Sequence, residues 1–210
     1  AAARLEGSKR FTKDFLSRYK IPTAAYGSFS SPDKAIEFAR SMELPVVIKA
    51  DGLAAGKGVV IAPTYQEAEE TIRGMMVNGN FGGAGASVVI EEFLRGEEAS
   101  FIVVSDGKNF LPFASSQDHK AIFDGDKGPN TGGMGAYSPA PVVTSQVHER
   151  VLEKVIRPTI DGMRKDGTAY IGFLYAGLMI DSKGEPYVIE FNCRLGDPET
   201  QPLMMRMRSD

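Results

Sequence analysis

Val46-Val47-Ile48-Lys49-Ala50-Asp51-Gly52-Leu53-Ala54-Ala55-Gly56-Lys57-Gly58-Val59-Val60-Ile61 is the stretch on which the fold of this chain turns. Its ends are short runs of β-branched residues, of the length and type that make buried strands, at 46–50 and 59–61. The middle, 51–58, holds three glycines and must be a loop. Thr64 with Glu67 is a capping box, which opens a helix reaching to about residue 76. The spacing therefore predicts a β-loop-β-α unit. Glycines let backbone N–H groups approach anionic oxygens closely, and Lys49 and Lys57 supply positive charge, so the loop suits phosphate groups. It is neither a Walker A motif nor a dinucleotide fingerprint, because no Ser or Thr follows Gly56-Lys57 and the loop leads into a strand rather than a helix. A solvated hairpin turn is the competing reading of the loop taken alone.

Toward the N-terminus, residues 7–19 place Phe11, Phe15 and Tyr19 on one stripe of a helix capped by Ser8. A strand is expected at 24–29, and Ser31-Pro32 starts a helix whose apolar face is Ala35, Ile36 and Ala39. Toward the C-terminus, four glycines within 78–86 mark a turn, and strands are expected at 87–92, 97–105 and 109–114, the last two joined at Asp106-Gly107. Residues 116–141 read as a long polar, glycine-rich loop, of a length that compact domains keep for function. Residues 144–165 have helical periodicity interrupted by Pro158. Strands at 175–181 and 186–192 close the chain as a hairpin about Ser182-Lys183-Gly184. The fold class is thus α/β (α+β): a small α/β unit at 24–86 and a larger antiparallel sheet with packed helices at 87–210, with 1–23 as a lead-in helix.

Composition narrows the function. The chain has 210 residues, 42% of them hydrophobic, and a net charge of −3 with its 24 Lys and Arg scattered. That excludes a disordered chain and argues against a nucleic-acid or membrane-surface partner, which would need a basic patch. One cysteine, Cys193, rules out an internal disulfide and a multi-cysteine zinc site, and it fits a reducing, cytoplasmic setting. Apolar runs fall short of a membrane span. The absence of both an apolar leader and an initiator Met is what a piece of a longer chain would show.

Three further segments carry chemistry. Glu91-Glu92-Phe93-Leu94, followed by Glu98, ends an apolar strand; backbone there can meet an adenine edge and a carboxylate can accept from ribose hydroxyls, although exposed glutamates are also ordinary surface. Glu190-Phe191-Asn192 puts an acid and an amide at i and i+2, on one face of a strand, as oxygen ligands suited to Mg²⁺. Arg194 follows and can clamp a phosphoryl or carboxylate group; an edge acid beside a salt-bridged arginine is the alternative. Asp118-His119-Lys120 and Gly128-Pro129-Asn130-Thr131-Gly132-Gly133-Met134-Gly135 lie in the long loop. His148 reads as surface and Cys193 as packing.

Taken in this order, the lysine-glycine loop, the Glu-Glu strand end, the Gly-Pro-Asn-Thr-Gly-Gly-Met-Gly segment and Glu190-Phe191-Asn192-Cys193-Arg194-Leu195-Gly196-Asp197-Pro198-Glu199 resemble the ATP-grasp ligases, and within them the phosphoribosylamine glycine ligase (glycinamide ribonucleotide synthetase) family. The likeness covers essentially the whole chain. It implies an ATP-grasp fold and, with ATP and Mg²⁺ (or Mn²⁺), the joining of glycine to 5-phosphoribosylamine through glycyl phosphate. By match of motif, Lys9 and Lys49 meet ATP phosphates, and Gly52, Gly56, Lys57 and Gly58 belong to a flap over them. Glu91, Glu92, Phe93 and Leu94 hold adenine, and Glu98 holds ribose. Glu190 and Asn192 hold the metal. Arg194, Asp118, Lys120 and Asn130 face glycine, the acyl phosphate or the ribosyl substrate. The family's enzymes carry further N-terminal and C-terminal domains, so the expectation is a truncated enzyme that binds Mg·ATP. Leu178 stands where many ATP-grasp relatives have a third carboxylate.

Overall fold

A computed structural model describes residues 2–52, 58–79, 82–124 and 127–208. The chain divides into two compact units, the first made of Arg4–Ser17 and Thr23–Leu94, the second of Ala1–Ala3, Arg18–Pro22 and Arg95–Asp210. The fold is the expected mixture of antiparallel sheets and packed helices.

The first unit runs α1 (Arg4–Gly7), α2 (Lys9–Arg18), β1 (Tyr26–Phe29), α3 (Pro32–Arg40), β2 (Val46–Ala50), β3 (Val59–Ala62), α4 (Tyr65–Met76) and β4 (Val88–Glu92), with sheet order β1-β4-β2-β3. All three pairings are antiparallel. Ala35, Ile36 and Ala39 of α3 and Ala68, Ile72 and Met75 of α4 form one core with Val46, Ile48, Ala50, Val88 and Ile90. Ile48 pairs with Ile90 and Ala50 with Val88. The alternate residues Val47, Lys49, Val89 and Glu91 consequently stand on the other face of the sheet. Thr64 caps α4 by accepting from the Glu67 N–H, as the capping box predicts. Ser8 likewise accepts from the Phe11 N–H at 3.1 Å, which separates α1 from α2. The buried side of α2 is Thr12, Lys13, Phe15 and Leu16 rather than the stripe through Phe11 and Tyr19, because a packed helix buries i, i+3 and i+4 together.

Strand β4 differs from the expected division at residue 87. It is hydrogen-bonded between β1 and β2, so it completes the first sheet, and the boundary between units falls after Leu94. A continuous apolar run such as Val88-Val89-Ile90 is what a central strand needs, and sequence order alone does not say which sheet receives it.

The second unit contains β5 (Glu97–Asp106), β6 (Phe110–Pro112), β7 (Gln117–Phe123), β8 (Lys127–Tyr137), α5 (Ser145–Val151), α6 (Arg157–Lys165), β9 (Ile171–Ile180), β10 (Pro186–Asn192) and α7 (Thr200–Arg206). Its main sheet has the order β10-β9-β5-β6. One face carries Phe101, Val103, Leu174, Ala176, Leu178 and Val188, all fully buried, and the ring of His148 of α5 packs tilted against Phe101, with ring centroids 5.1 Å apart. His148 is thus half-buried against the core, not plain surface. Between α5 and α6 the helix widens to a π turn at Leu152–Ile156. Pro158 causes it: the ring removes one N–H and clashes with the carbonyl four residues earlier, and a wider turn relieves both.

Residues 116–141, expected to be a loop, contain the antiparallel ribbon β7-β8. Lys127–Tyr137 is rich in glycine and carries apolar side chains only near its end, at Met134, Ala136 and Tyr137, so no sustained period-2 signal announces the strand.

At the start of β5, a Cβ on Gly96 would stand 2.1 Å from the Ile180 carbonyl oxygen, so this close approach admits only glycine. Gly96→Ala should lower the unfolding free energy by roughly 3 kcal/mol through forced backbone displacement, read as a shifted urea midpoint; an unchanged midpoint would contradict this packing.

Candidate functional site

In the first unit the sheet face turned away from α3 and α4 holds three charges that are almost fully buried. Lys13 of α2 is 2% exposed, Lys49 of β2 4% and Glu91 of β4 3%. Antiparallel register puts Lys49 opposite Val89 and Val47 opposite Glu91, so Lys49 and Glu91 are diagonal neighbours on one face. The Lys49 ammonium lies 3.0 Å from Glu91 Oε1 and 3.1 Å from Oε2. Lys13 Nζ lies 3.0 Å from Oε2 and also donates to Thr23 Oγ1 at 2.7 Å. Burial pulls the Lys13 ammonium down to about 8, opposed by Glu91 and reinforced by the like charge of Lys49.

Asp51, one residue past β2, fixes the entry to α2. Its Oδ1 accepts from the Ser8 hydroxyl at 2.9 Å and the Arg10 N–H at 2.8 Å, its Oδ2 from the Ser87 hydroxyl at 3.1 Å, and its carbonyl from the Lys9 N–H at 3.1 Å. Lys9 is thereby held at the first turn of α2, beside the end of β2 that carries Lys49. Gly52 donates to the Ala84 carbonyl, and a Cβ there would lie 2.7 Å from the Ala84 Cβ, which explains the glycine. Gly58 is buried and its carbonyl accepts from Ala50 N–H at 2.8 Å. Gly56 and Lys57 lie outside the described residues. Glu92 turns back to accept from the Ala25 N–H at 2.9 Å, while Phe93 and Leu94 are half-buried.

In the second unit a pocket is lined by Glu98 and Ser100 of β5, Asp118 of β7, Tyr175, Gly177 and Leu178 of β9, and Ile189 and Glu190 of β10. The register explains it. Along β10, Val188 pairs with Leu178, and after a bulge at Ile189 it is Glu190 that pairs with Gly177 and Asn192 with Tyr175. Gly177 and Tyr175 pair in turn with Ser100 and Ile102. Glu190, Asn192, Gly177, Tyr175, Ser100 and Glu98 therefore occupy a single face. A Cβ on Gly177 would lie 3.4 Å from Glu190 Cγ, so glycine leaves the carboxylate room.

Behind the pocket, Glu199 is 2% exposed; its Oε1 accepts from Ser100 Oγ at 2.8 Å and Tyr175 OH at 3.0 Å. Burial, followed by the nearby Glu199 charge, pushes the Tyr175 phenol far up, so it stays a donor. Arg194 is exposed, donating to the Leu195 carbonyl at 3.0 Å and reaching Asn192 Oδ1 at 3.4 Å. The backbones of Lys120 and Asn130 lie in β7 and β8; their side chains are outside the described residues. Cys193 is half-buried, its Sγ 3.9 Å from the Ala2 carbonyl.

The structure thus joins Glu98, Asp118, Glu190 and Asn192 in one unit and Lys9, Lys49 and Glu91 in the other. It assigns the Glu91 carboxylate to two lysines, which leaves the Glu91–Leu94 segment only main-chain groups and the side chains of Phe93 and Leu94 for a ligand. Sequence reading missed Lys13, Asp51, Ser100, Tyr175 and Glu199. Nothing in the spacing of Glu199, nine positions after Glu190, hints at a buried acid, and Lys13 resembles any other helix lysine. No group of three or more His, Cys, Asp or Glu that could hold a metal occurs among the described residues, and no helix there is long and apolar enough to cross a membrane.

Comparison with known proteins gives a consistent picture. A family model of the phosphoribosylglycinamide synthetase ATP-grasp (A) domain matches residues 7–200. A phosphoribosylamine–glycine ligase of Vibrio vulnificus is 65% identical over 210 residues, all of this chain and 49% of that protein; one from Pseudomonas aeruginosa is 64% identical over 208 residues, 48% of its length. The chain spans about half the length of these curated relatives. The crystal structure of a Thermotoga maritima phosphoribosylamine–glycine ligase superposes with a TM-score of 0.91 at 42% identity, covering 97% of this chain and 51% of that one. A Hydrogenobacter thermophilus biotin carboxylase domain solved with MgADP, at 20% identity and a TM-score of 0.77, shares the fold.

Two measurements check these networks. Tyr175→Phe removes one of two hydroxyl donors to buried Glu199 and should cost about 1–3 kcal/mol in urea unfolding, a loss absent if Glu199 is solvated. For Lys13, the folded chain holds the proton only to about 8 and the unfolded chain to about 10.5, so unfolding takes up a proton in that window and rising pH stabilises the fold. Wild type should gain stability relative to Lys13→Met between those pH values. A constant difference would contradict the burial of this ammonium.

Proposed function

The chain belongs to the phosphoribosylglycinamide synthetase ATP-grasp (A) domain family, and from that premise we propose that it binds Mg·ATP and serves the ATP-dependent ligation of glycine to 5-phosphoribosylamine, giving glycinamide ribonucleotide, ADP and phosphate, the second step of de novo purine synthesis. The observation that carries the reading is the bulge at Ile189, which sets Glu190 and Asn192 on the same sheet face as Glu98, Ser100 and Gly177.

These residues fit a divalent metal. Glu190 and Asn192 offer hard oxygens at i and i+2 on a rigid strand, the half-buried Asn192 oxygen has Arg194 no closer than 3.4 Å, and Mg²⁺ takes few protein oxygens and completes its shell with phosphate and water. Such a metal neutralises phosphate charge; Mn²⁺ has the same ligand preference. Leu178, fully buried, adds no carboxylate.

The remaining roles follow residue type. Lys9 and Lys49 neutralise phosphate oxygens, and Gly52, Gly56, Lys57 and Gly58 form the flap. Main-chain groups of Glu91 to Leu94, with Phe93 and Leu94 side chains, hold adenine, and Glu98 accepts from ribose. Phosphoryl transfer to a carboxylate needs positioning and charge neutralisation more than a strong base. Arg194, exposed beside Asn192, clamps the carboxylate or the acyl phosphate bidentately, and Asp118, Lys120 and Asn130 orient the amine and ribosyl substrates. Glycyl phosphate hydrolyses readily, so exclusion of water is part of the function. The setting is cytoplasmic, with small molecules as partners.

Calorimetric titration with a non-hydrolysable ATP analogue and Mg²⁺ tests the reading. Glu190→Ala should weaken binding at least about tenfold, with the deficit shrinking when Mg²⁺ is omitted. Equal binding by both proteins would remove Glu190 from the metal site. Glycine-dependent ADP release from ATP and 5-phosphoribosylamine distinguishes a complete ligase from a binding module, which would saturate with ATP and release nothing.

A further inference from the structure

Burying an ion pair costs desolvation, and burying a third charge beside it costs more, so two lysines around one carboxylate are hard to explain as stabilisation. Lys13, Glu91 and Lys49 are each less than 5% exposed, and the two ammonium groups share one carboxylate, Lys49 across both oxygens and Lys13 on Oε2. The formal charges of these three buried groups sum to +1; the Glu92 carboxylate, which also acts on Lys13, is exposed and accepts from the Ala25 N–H. Were Glu91 and Lys49 alone, the carboxylate would cancel the lysine's field, and a lysine meant for an anion would be fixed but electrically spent. With Lys13 present, Glu91 still fixes Lys49 in place while the cluster keeps one positive charge.

We propose that Lys13 is a positioning residue for nucleotide binding: by compensating Glu91, it leaves the Lys49 charge available to a phosphate chain that Lys13 itself does not touch. Lys13 already uses its donors on Glu91, on Thr23 Oγ1 at 2.7 Å and on the Ala24 carbonyl at 3.5 Å, and its ammonium stands 5.6 Å from the Tyr26 ring centroid, so it is enclosed by its own unit. The proposal rests on the reading of this chain as an ATP binder. It adds a residue to that reading and gives the Glu91 carboxylate a part separate from that of its main chain at adenine.

The test is calorimetric titration of the 210-residue chain with a non-hydrolysable ATP analogue and Mg²⁺, comparing wild type, Lys13→Met and the double variant Lys13→Met/Glu91→Gln, with thermal melting to establish that each is folded. Lys13→Met leaves Glu91 and Lys49 neutral overall and should weaken binding about tenfold or more. The double variant restores a net charge of +1 while keeping an acceptor for Lys49, and it should bind within about threefold of wild type even though it melts lower. A residue acting only on the fold would lower the melting temperature in both variants without returning affinity in the second. Lys13→Met binding as wild type does, or a folded double variant binding no better than Lys13→Met, overturns the proposal. If Lys13→Met does not fold, the folded double variant decides alone, its weak binding overturning and near-wild-type binding supporting the inference. Absence of binding by wild type would instead overturn the ATP reading itself.

Discussion

In strand β10 one extra residue separates a buried carboxylate from a usable one. Val188 pairs with Leu178 on the apolar face; in uninterrupted register Ile189 would pair with Gly177, and Glu190 with Ala176 in the core. An unpaired carboxylate forced into an apolar core would either lose its charge or break the sheet. The bulge at Ile189 moves every later residue by one position, so Phe191 enters the core and Glu190 and Asn192 stand over Gly177 and Tyr175. The whole candidate site of the second unit depends on that shift.

The first unit meets the same problem differently. Its sheet has one face sealed by α3 and α4, with Val46, Ile48, Ala50, Val88 and Ile90 fully buried there. The opposite face could have been solvated, yet α2 covers it and brings Lys13 against Glu91. Three charges enter a low-dielectric setting, tolerable because each finds partners: Glu91 takes both lysines, and Lys13 also finds Thr23. Asp51 then ties β2, the first turn of α2 and Ser87 together. Hydrogen-bonded charges of this kind contribute geometry more than stability.

Local chemistry made much of this visible in the sequence. The Thr64-Glu67 box, the Ser31-Pro32 start and the Asp106-Gly107 turn act within a few residues, and each is where it was read: Asp106 Oδ1, for one, accepts from the Lys108 and Asn109 N–H groups at 2.8 and 2.6 Å. The pairing of Glu190 with Asn192 on one face is likewise a property of any strand. What stayed hidden depends on residues far apart in the chain. The carboxylate of Glu91 is claimed by lysines 78 and 42 positions earlier, and no local pattern distinguishes Lys13 from a solvated helix lysine. Strand β8 is silent because Gly128, Gly132, Gly133 and Gly135 replace the alternation by which strands are recognised. The partner strand of β4 was invisible for the reason that pairing partners usually are: an apolar run states that it is buried, not beside what.

One of those glycines, Gly133, has a packing reason within the second unit. Gly133 has φ of +125°, and a Cβ there would lie 2.9 Å from Pro198 Cδ and 3.3 Å from Asp118 Oδ1. Pro198 precedes Glu199, which Ser100 and Tyr175 anchor to the sheet, and a Cβ on Gly196 would lie 2.4 Å from Glu199 Oε2. The chain leaving β10 is therefore pinned to the floor of the pocket at Glu199 and pressed against the ribbon at Gly133, where Asp118 lines the pocket wall. Arg194 lies on the short segment between Asn192 and this anchor. A buried acid that does not itself line the pocket can in this way fix the reach of an exposed arginine, and the glycines permit the close approach that makes the anchor possible.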